Sequence, residues 1–129
     1  MPRLLNDGPQ RCLPQGCQIE KQYTQGEWNS FLDCLLRSFD QCECLDNEYS
    51  LKTSQHGVQD DDVRRAIRPS AQVAAYVDRG HGRVALWDGE ETGLLVIARE
   101  SNGKIFNAYE IDDFGQMLRA REDVRWLHH

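Results

Sequence analysis

An α+β fold built on an antiparallel four-stranded meander is what this sequence predicts. Three observations carry it: an amphipathic stretch from residue 24 to residue 40, four short β-rich runs between residues 71 and 111, and well-marked turns between those runs. The runs follow one another without intervening helices. That excludes the alternating βαβ units of a doubly wound parallel sheet. At 129 residues the chain has the length of a single domain, 1–129, with one core.

Residues 1–22 hold Pro2, Gly8, Pro9, Pro14 and Gly16 without sustained periodicity and read as an irregular arm. Over 24–40, Trp28, Phe31, Leu32, Leu35, Leu36 and Phe39 recur at helical spacing, and Glu27, Asn29, Asp33, Arg37 and Asp40 face away. Thr24, with Glu27 three residues on, has the capping-box pattern. The aromatic stripe suits a core and would also suit a partner. Residues 41–55 are polar, apart from Tyr49 and Leu51, and read as a connection with at most a short extended piece.

Residues 54–126 are expected to form a helix-sheet-helix core. A short second helix starts near Asp60, where three aspartates supply an N-cap and favourable charge, and Pro69 ends it. The aspartates are also conceivable metal ligands, but three consecutive residues at a helix start cannot all point at one ion. The strands are Ala71–Val77, Arg83–Trp87, Thr92–Arg99 and Lys104–Ile111. Asp88-Gly89 and Asn102-Gly103 mark two of the turns. Phe114, Met117, Leu118, Arg121 and Val124 then recur at helical spacing, which predicts a C-terminal helix to about Trp126 after Asp112 and Asp113.

Charge narrows the function. The net charge is −6, with 5 basic and 8 acidic residues in 1–55 and 10 and 13 in 56–129, so neither half is a basic nucleic-acid arm. No apolar run approaches the roughly 20 residues that span a bilayer, and no apolar signal segment follows Met1, so no membrane association is expected. All five cysteines, at 12, 17, 34, 42 and 44, lie in the first third. Their spacing is not a common zinc pattern, and reduced thiols are the simplest reading, although two clusters of thiolates could ligate a metal. No metal and no cofactor are expected.

The candidate chemistry begins at His56, which stands directly before the Asp60 helix and can exchange protons near neutral pH. Arg64, Arg79 and Arg83 are available to bind an anionic substrate or to stabilise developing negative charge. On an extended strand Arg83 and Ala85 share one face while Val84 and Leu86 fill the other, so an arginine can project from the sheet while aliphatics form the core. The same residues also fit a loop histidine, a solvated helix face and a charged strand edge.

From about Ser54 to Arg121, roughly half the chain, the order of motifs resembles the BrnT-like small toxin ribonucleases within the wider barnase, EndoU, colicin and RelE fold group. The resemblance rests on His56-Gly57-Val58 leading into Asp62-Val63-Arg64-Arg65-Ala66-Ile67, an arginine-bearing strand at Arg83, Gly93-Leu94-Leu95-Val96-Ile97, and Gly103-Lys104-Ile105 through Tyr109. Residues 1–53 and their cysteines have no counterpart in it.

The resemblance implies metal-independent cleavage of an RNA substrate by attack of the ribose hydroxyl on the adjacent phosphorus. It implies His56 as acid or base, Arg83 and Arg79 as charge stabilisers, Tyr109 or Lys104 as donor or phosphate contact, and Arg64 as a weaker substrate-binding alternate. It further implies a cognate immunity or antitoxin protein as partner, and action in the cytoplasm or after delivery into a target cell. Similar toxins are usually basic, and this chain is not.

A second class fits the composition: a non-catalytic acidic protein-binding module, such as an immunity protein, an antitoxin-like partner or a phage inhibitor. Asp60–Asp62, Glu90-Glu91 and Asp112-Asp113 would present its negative charge to a basic partner. A thiol-dependent enzyme using Cys34 or Cys44 is disfavoured, because neither sits in a Cys-x-x-Cys or helix-start context.

Overall fold

The computed structural model describes Gly26, Asn29, Leu32, Asp33, Leu36, residues 47–101 and residues 104–128. Helices α1 (Tyr49–Gln55) and α2 (Asp60–Ala66) precede strands β1 (Gln72–Asp78), β2 (His81–Trp87), β3 (Leu94–Arg99) and β4 (Ile105–Glu110); α3 (Phe114–Arg119) and β5 (Glu122–His128) follow. The strands form one antiparallel sheet in the order β4-β3-β2-β1-β5, so the fold is α+β. Among the described residues no helix is long and apolar enough to cross a membrane.

Three expectations are corrected. The sheet has five strands rather than four, because the chain after α3 is strand and not helix. The helical spacing of Phe114, Met117 and Leu118 holds for under two turns; beyond Ala120 the chain alternates faces, with Val124 and Trp126 on one side and Leu127 on the other. Part of the stretch taken as a connection is helix α1, whose inward side is only Tyr49 and Thr53. The N-cap of α2 is Gln59 rather than an aspartate; Asp62 accepts the Gln59 N–H at 3.3 Å, and Asp60 accepts the Tyr49 hydroxyl at 2.8 Å.

Of the helix expected over 24–40, Gly26, Asn29, Leu32, Asp33 and Leu36 are helical and Leu32 is buried. Thr24, the rest of that stretch, the arm 1–22, the cysteines and Asn102-Gly103 lie outside the described residues.

Both faces of the sheet are covered, which is why β3 reads Leu94-Leu95-Val96-Ile97 without polar alternation. One face packs Val73, Ala75, Val84, Leu86 and Val96 against Leu32, Tyr49, Val63, Ala66 and Ile67. The other packs Ala74, Ala85, Leu95 and Ile97 against Phe114 and Leu118, with Phe114 between Trp87 at 5.9 Å and Trp126 at 5.5 Å. That aromatic cluster covers the second face at the Trp87 end of β2. The far end, beside the β1–β2 turn, carries the cavity described below.

A bulge sets which β4 side chains reach that end. Ile97 pairs with Asn107 but Ala98 pairs with Ile105, so Phe106 is an extra residue in β4. Phe106 and Tyr109 therefore pack on the second face while Ile105 and Ala108 pack on the first, a three-residue interval that regular alternation forbids.

The β2–β3 loop is built on Asp88, only 1 % exposed. Its carboxylate accepts the Thr92 N–H and hydroxyl at 3.0 Å each and the Glu90 N–H at 3.3 Å, and Arg68 stands 3.9 Å away. Burial works to raise this carboxyl's pKa, but the Thr92 and Glu90 hydrogen bonds and the Arg68 charge together hold it below its ordinary value.

Candidate functional site

The site is organised by the β1–β2 hairpin. Asp78 pairs with His81, leaving Arg79 and Gly80 as a two-residue turn with φ of 55° and 83°. Two consecutive positive φ values are those of a type I′ turn, whose twist matches the flanking strands. Gly80 adopts that backbone freely; a non-glycine residue held there costs on the order of 1 kcal/mol. The turn also fixes the register, placing Tyr76 directly opposite Arg83.

Around these residues lies a cavity of about 390 Å³. Arg79 and His81 contribute from the turn, Tyr76 and Arg83 from the facing strands, Phe106, Asn107 and Tyr109 from the bulged strand, Lys52 from α1, and Arg121 from the α3–β5 connection. Four cationic side chains thus line a cavity whose one carboxylate is Asp78, in a chain of net charge −6. The lining is locally cationic against the global charge, an arrangement chemically suited to an anion.

Two of the cations are loosely paired with carboxylates: Lys52 with Glu48, 3.9 Å away, and Arg121 with Asp78. Arg121 Nε lies 3.8 Å from Asp78 Oδ2, beyond hydrogen-bonding range, and is buried with no hydrogen-bond partner. The Arg121 guanidinium carbon stands 5.9 Å from the centre of the Tyr76 ring. That of Arg83 lies 4.7 Å from the centre of Phe106, a cation–π contact that holds the side chain while its Nη1 donates to the Gly82 carbonyl at 3.3 Å.

Tyr76 is 1 % exposed yet lines the cavity. Burial, reinforced by the neighbouring Tyr109, pushes its phenol pKa up to about 12. Burial likewise raises Tyr109, against the lowering effect of Arg121. Both phenols are therefore proton donors at neutral pH, suited to an acceptor-rich ligand. The exposed His56 ring stacks on Tyr109, with centroids 5.0 Å apart and planes 29° from parallel.

The structure thus brings Arg79, Arg83 and Tyr109 to one cavity and sets His56 against the Tyr109 ring. It does not bring Arg64 or Lys104 there: Arg64 is exposed on α2, and Lys104, just before β4, lies outside the lining. Sequence reasoning missed Tyr76, His81, Lys52, Asn107 and Arg121. Asp78-Arg79-Gly80-His81 is the signal that would have found the first two, since reading it as a two-residue turn sets Tyr76 opposite Arg83 and His81 opposite Asp78. Arg121 has no such signal, because its place depends on a strand read as helix. Among the described residues no group of three or more His, Cys, Asp or Glu is arranged to hold a metal ion. Comparison of the chain with family models, curated proteins and solved structures finds no match.

Proposed function

We propose that the cavity is a phosphodiester site and that the protein is a metal-independent endoribonuclease, a toxin or effector domain. The observation that supports this most is the convergence of Arg79, Arg83, Arg121 and Lys52 with the buried phenol of Tyr76 on one cavity of an acidic chain. A local excess of positive charge beside a hydrogen-bond donor suits an anion.

The reaction asks for three things. A base removes the proton from the ribose 2′-hydroxyl as its oxygen attacks phosphorus; cationic and hydrogen-bond donors stabilise the added negative charge; and an acid protonates the departing 5′-oxygen, leaving a 2′,3′-cyclic phosphate. Arg83, Arg79 and Arg121 supply the charge, with Tyr76 as the buried donor. His81 in the lining and His56 on Tyr109 are the two imidazoles for the proton transfers.

The test is incubation of purified protein with total RNA in EDTA beside the His56→Ala, His81→Ala and Arg83→Ala variants. Cleavage by the unaltered protein, reduced about 100-fold or more in the histidine variants, is expected. No cleavage by the unaltered protein, or equal cleavage by all four, overturns the reading. The net charge of −6 favours a second reading, the acidic protein-binding module, which presents Asp60–Asp62, Glu90-Glu91 and Asp112-Asp113 to a basic partner. That reading gains if RNA is left intact.

A further inference from the structure

The row of cations continues past the cavity. Arg99 pairs directly with Arg83 across β2 and β3, and its guanidinium carbon lies 4.6 Å from the centre of the same Phe106 ring. Like charges placed opposite each other weaken a sheet, so this arrangement needs compensation. Phe106 supplies part of it. Glu48 adds to it: its Oε2 lies 3.4 Å from Arg99 Nη2 and its Oε1 lies 3.9 Å from Nζ of Lys52, a residue of the cavity lining. One carboxylate therefore spans the two cations that border the cavity on this side.

We infer that Arg99 and Lys52 form a second anion subsite beside the cavity, with Glu48 as an internal counter-ion that a ligand's second phosphoryl group displaces. The preferred ligand then carries two linked phosphoryl groups, the first held by Arg83, Arg79 and Arg121 and the second across Phe106 by Arg99. This rests on the reading of the cavity as a phosphodiester site. Displacement is helped by the length of these two Glu48 contacts and by the 52 % exposure of its side chain, since exposed ion pairs contribute little to stability. A phosphoryl group offers more charge and more acceptor oxygens than the carboxylate it replaces, so the exchange favours the ligand.

Calorimetric titration of the full chain with inorganic phosphate and with 5′-phosphorylated dithymidine, which lacks the 2′-hydroxyl and is not cleaved, separates the possibilities. The unaltered protein is expected to bind the dinucleotide about tenfold or more tighter than phosphate. Arg99→Ala should remove that preference while leaving phosphate affinity in place. Glu48→Gln should strengthen dinucleotide binding several-fold, and by more than phosphate binding, a gain that misfolding cannot mimic. Phosphate binding with no preference for the dinucleotide, or a preference unmoved in both variants, overturns the subsite alone. Binding of neither ligand overturns the cavity reading and the subsite with it. Intact RNA alongside the expected binding pattern overturns only the cleavage step.

Discussion

The imidazole of His56, on the residue that ends α1, stacks at a tilt of 29° on the phenol of Tyr109 on the edge strand β4. Stacking fixes the plane of the ring while its nitrogens stay free for proton exchange. Packing and chemistry can therefore be separated by substitution. His56→Phe keeps an aromatic stack and is expected to lower RNA cleavage as far as His56→Ala does, by about 100-fold or more, with thermal stability within about 0.5 kcal/mol of the unaltered protein. Cleavage assays and thermal melts on both variants check this, and near-full activity in His56→Phe removes the histidine from the reaction.

Arg79 occupies a left-handed backbone conformation that asparagine adopts at lower cost. Arg79→Asn should raise stability by about 0.5–1 kcal/mol in urea unfolding while weakening phosphate binding. A variant that is both less stable and fully able to bind phosphate contradicts the role given to this side chain.

Tyr76 links stability to alkaline pH. Its folded pKa, about 12, stands above the unfolded value near 10, so the folded state holds a proton that the unfolded state releases in that interval. The resulting stability is fully present below pH 10 and falls as pH rises toward 12. Two units correspond to about 3 kcal/mol for this buried phenol. Unfolding measured from pH 8 to 11.5 should show the decline, and Tyr76→Phe should flatten most of it.

Asp88 acts at the other end of the scale. Its carboxyl is held below its ordinary pKa, so its contribution is present above the unfolded value of about 3.9 and is lost as pH falls through the folded value. Asp88→Ala strands the Thr92 and Glu90 donors and should cost about 2–4 kcal/mol at pH 7, with a shallower acid limb in the stability–pH curve. Chemical denaturation between pH 3 and 7 measures both.

What could be read from the letters follows from how local the determinants are. β1 to β4 announce themselves through β-branched runs and short turns, and α2 through its acidic start and Pro69. The determinants of β5 and α1 are not local. Val124 and Trp126 fit a helix or a strand until β1 offers them partners, and α1 has only Tyr49 and Thr53 to place inward. The site divides in the same way. His56, Arg79, Arg83 and Tyr109 stand out by chemical type, whereas Tyr76, Lys52 and Arg121 matter only once register and connection bring them together. The extra residue at Phe106, which sends Tyr109 to the second face, leaves no mark in composition or period.

The pairing of β1 with β5 has a kinetic corollary. The first four strands can zip up through neighbouring hairpins, but the fifth must travel back across the assembled ribbon to find the first, the step with the greatest loop-closure penalty. Arg121, on the connection leading into that last strand, reaches Tyr76 only when this docking is complete. Maturation of the anion-binding hollow and arrival of the final strand should therefore share one rate constant.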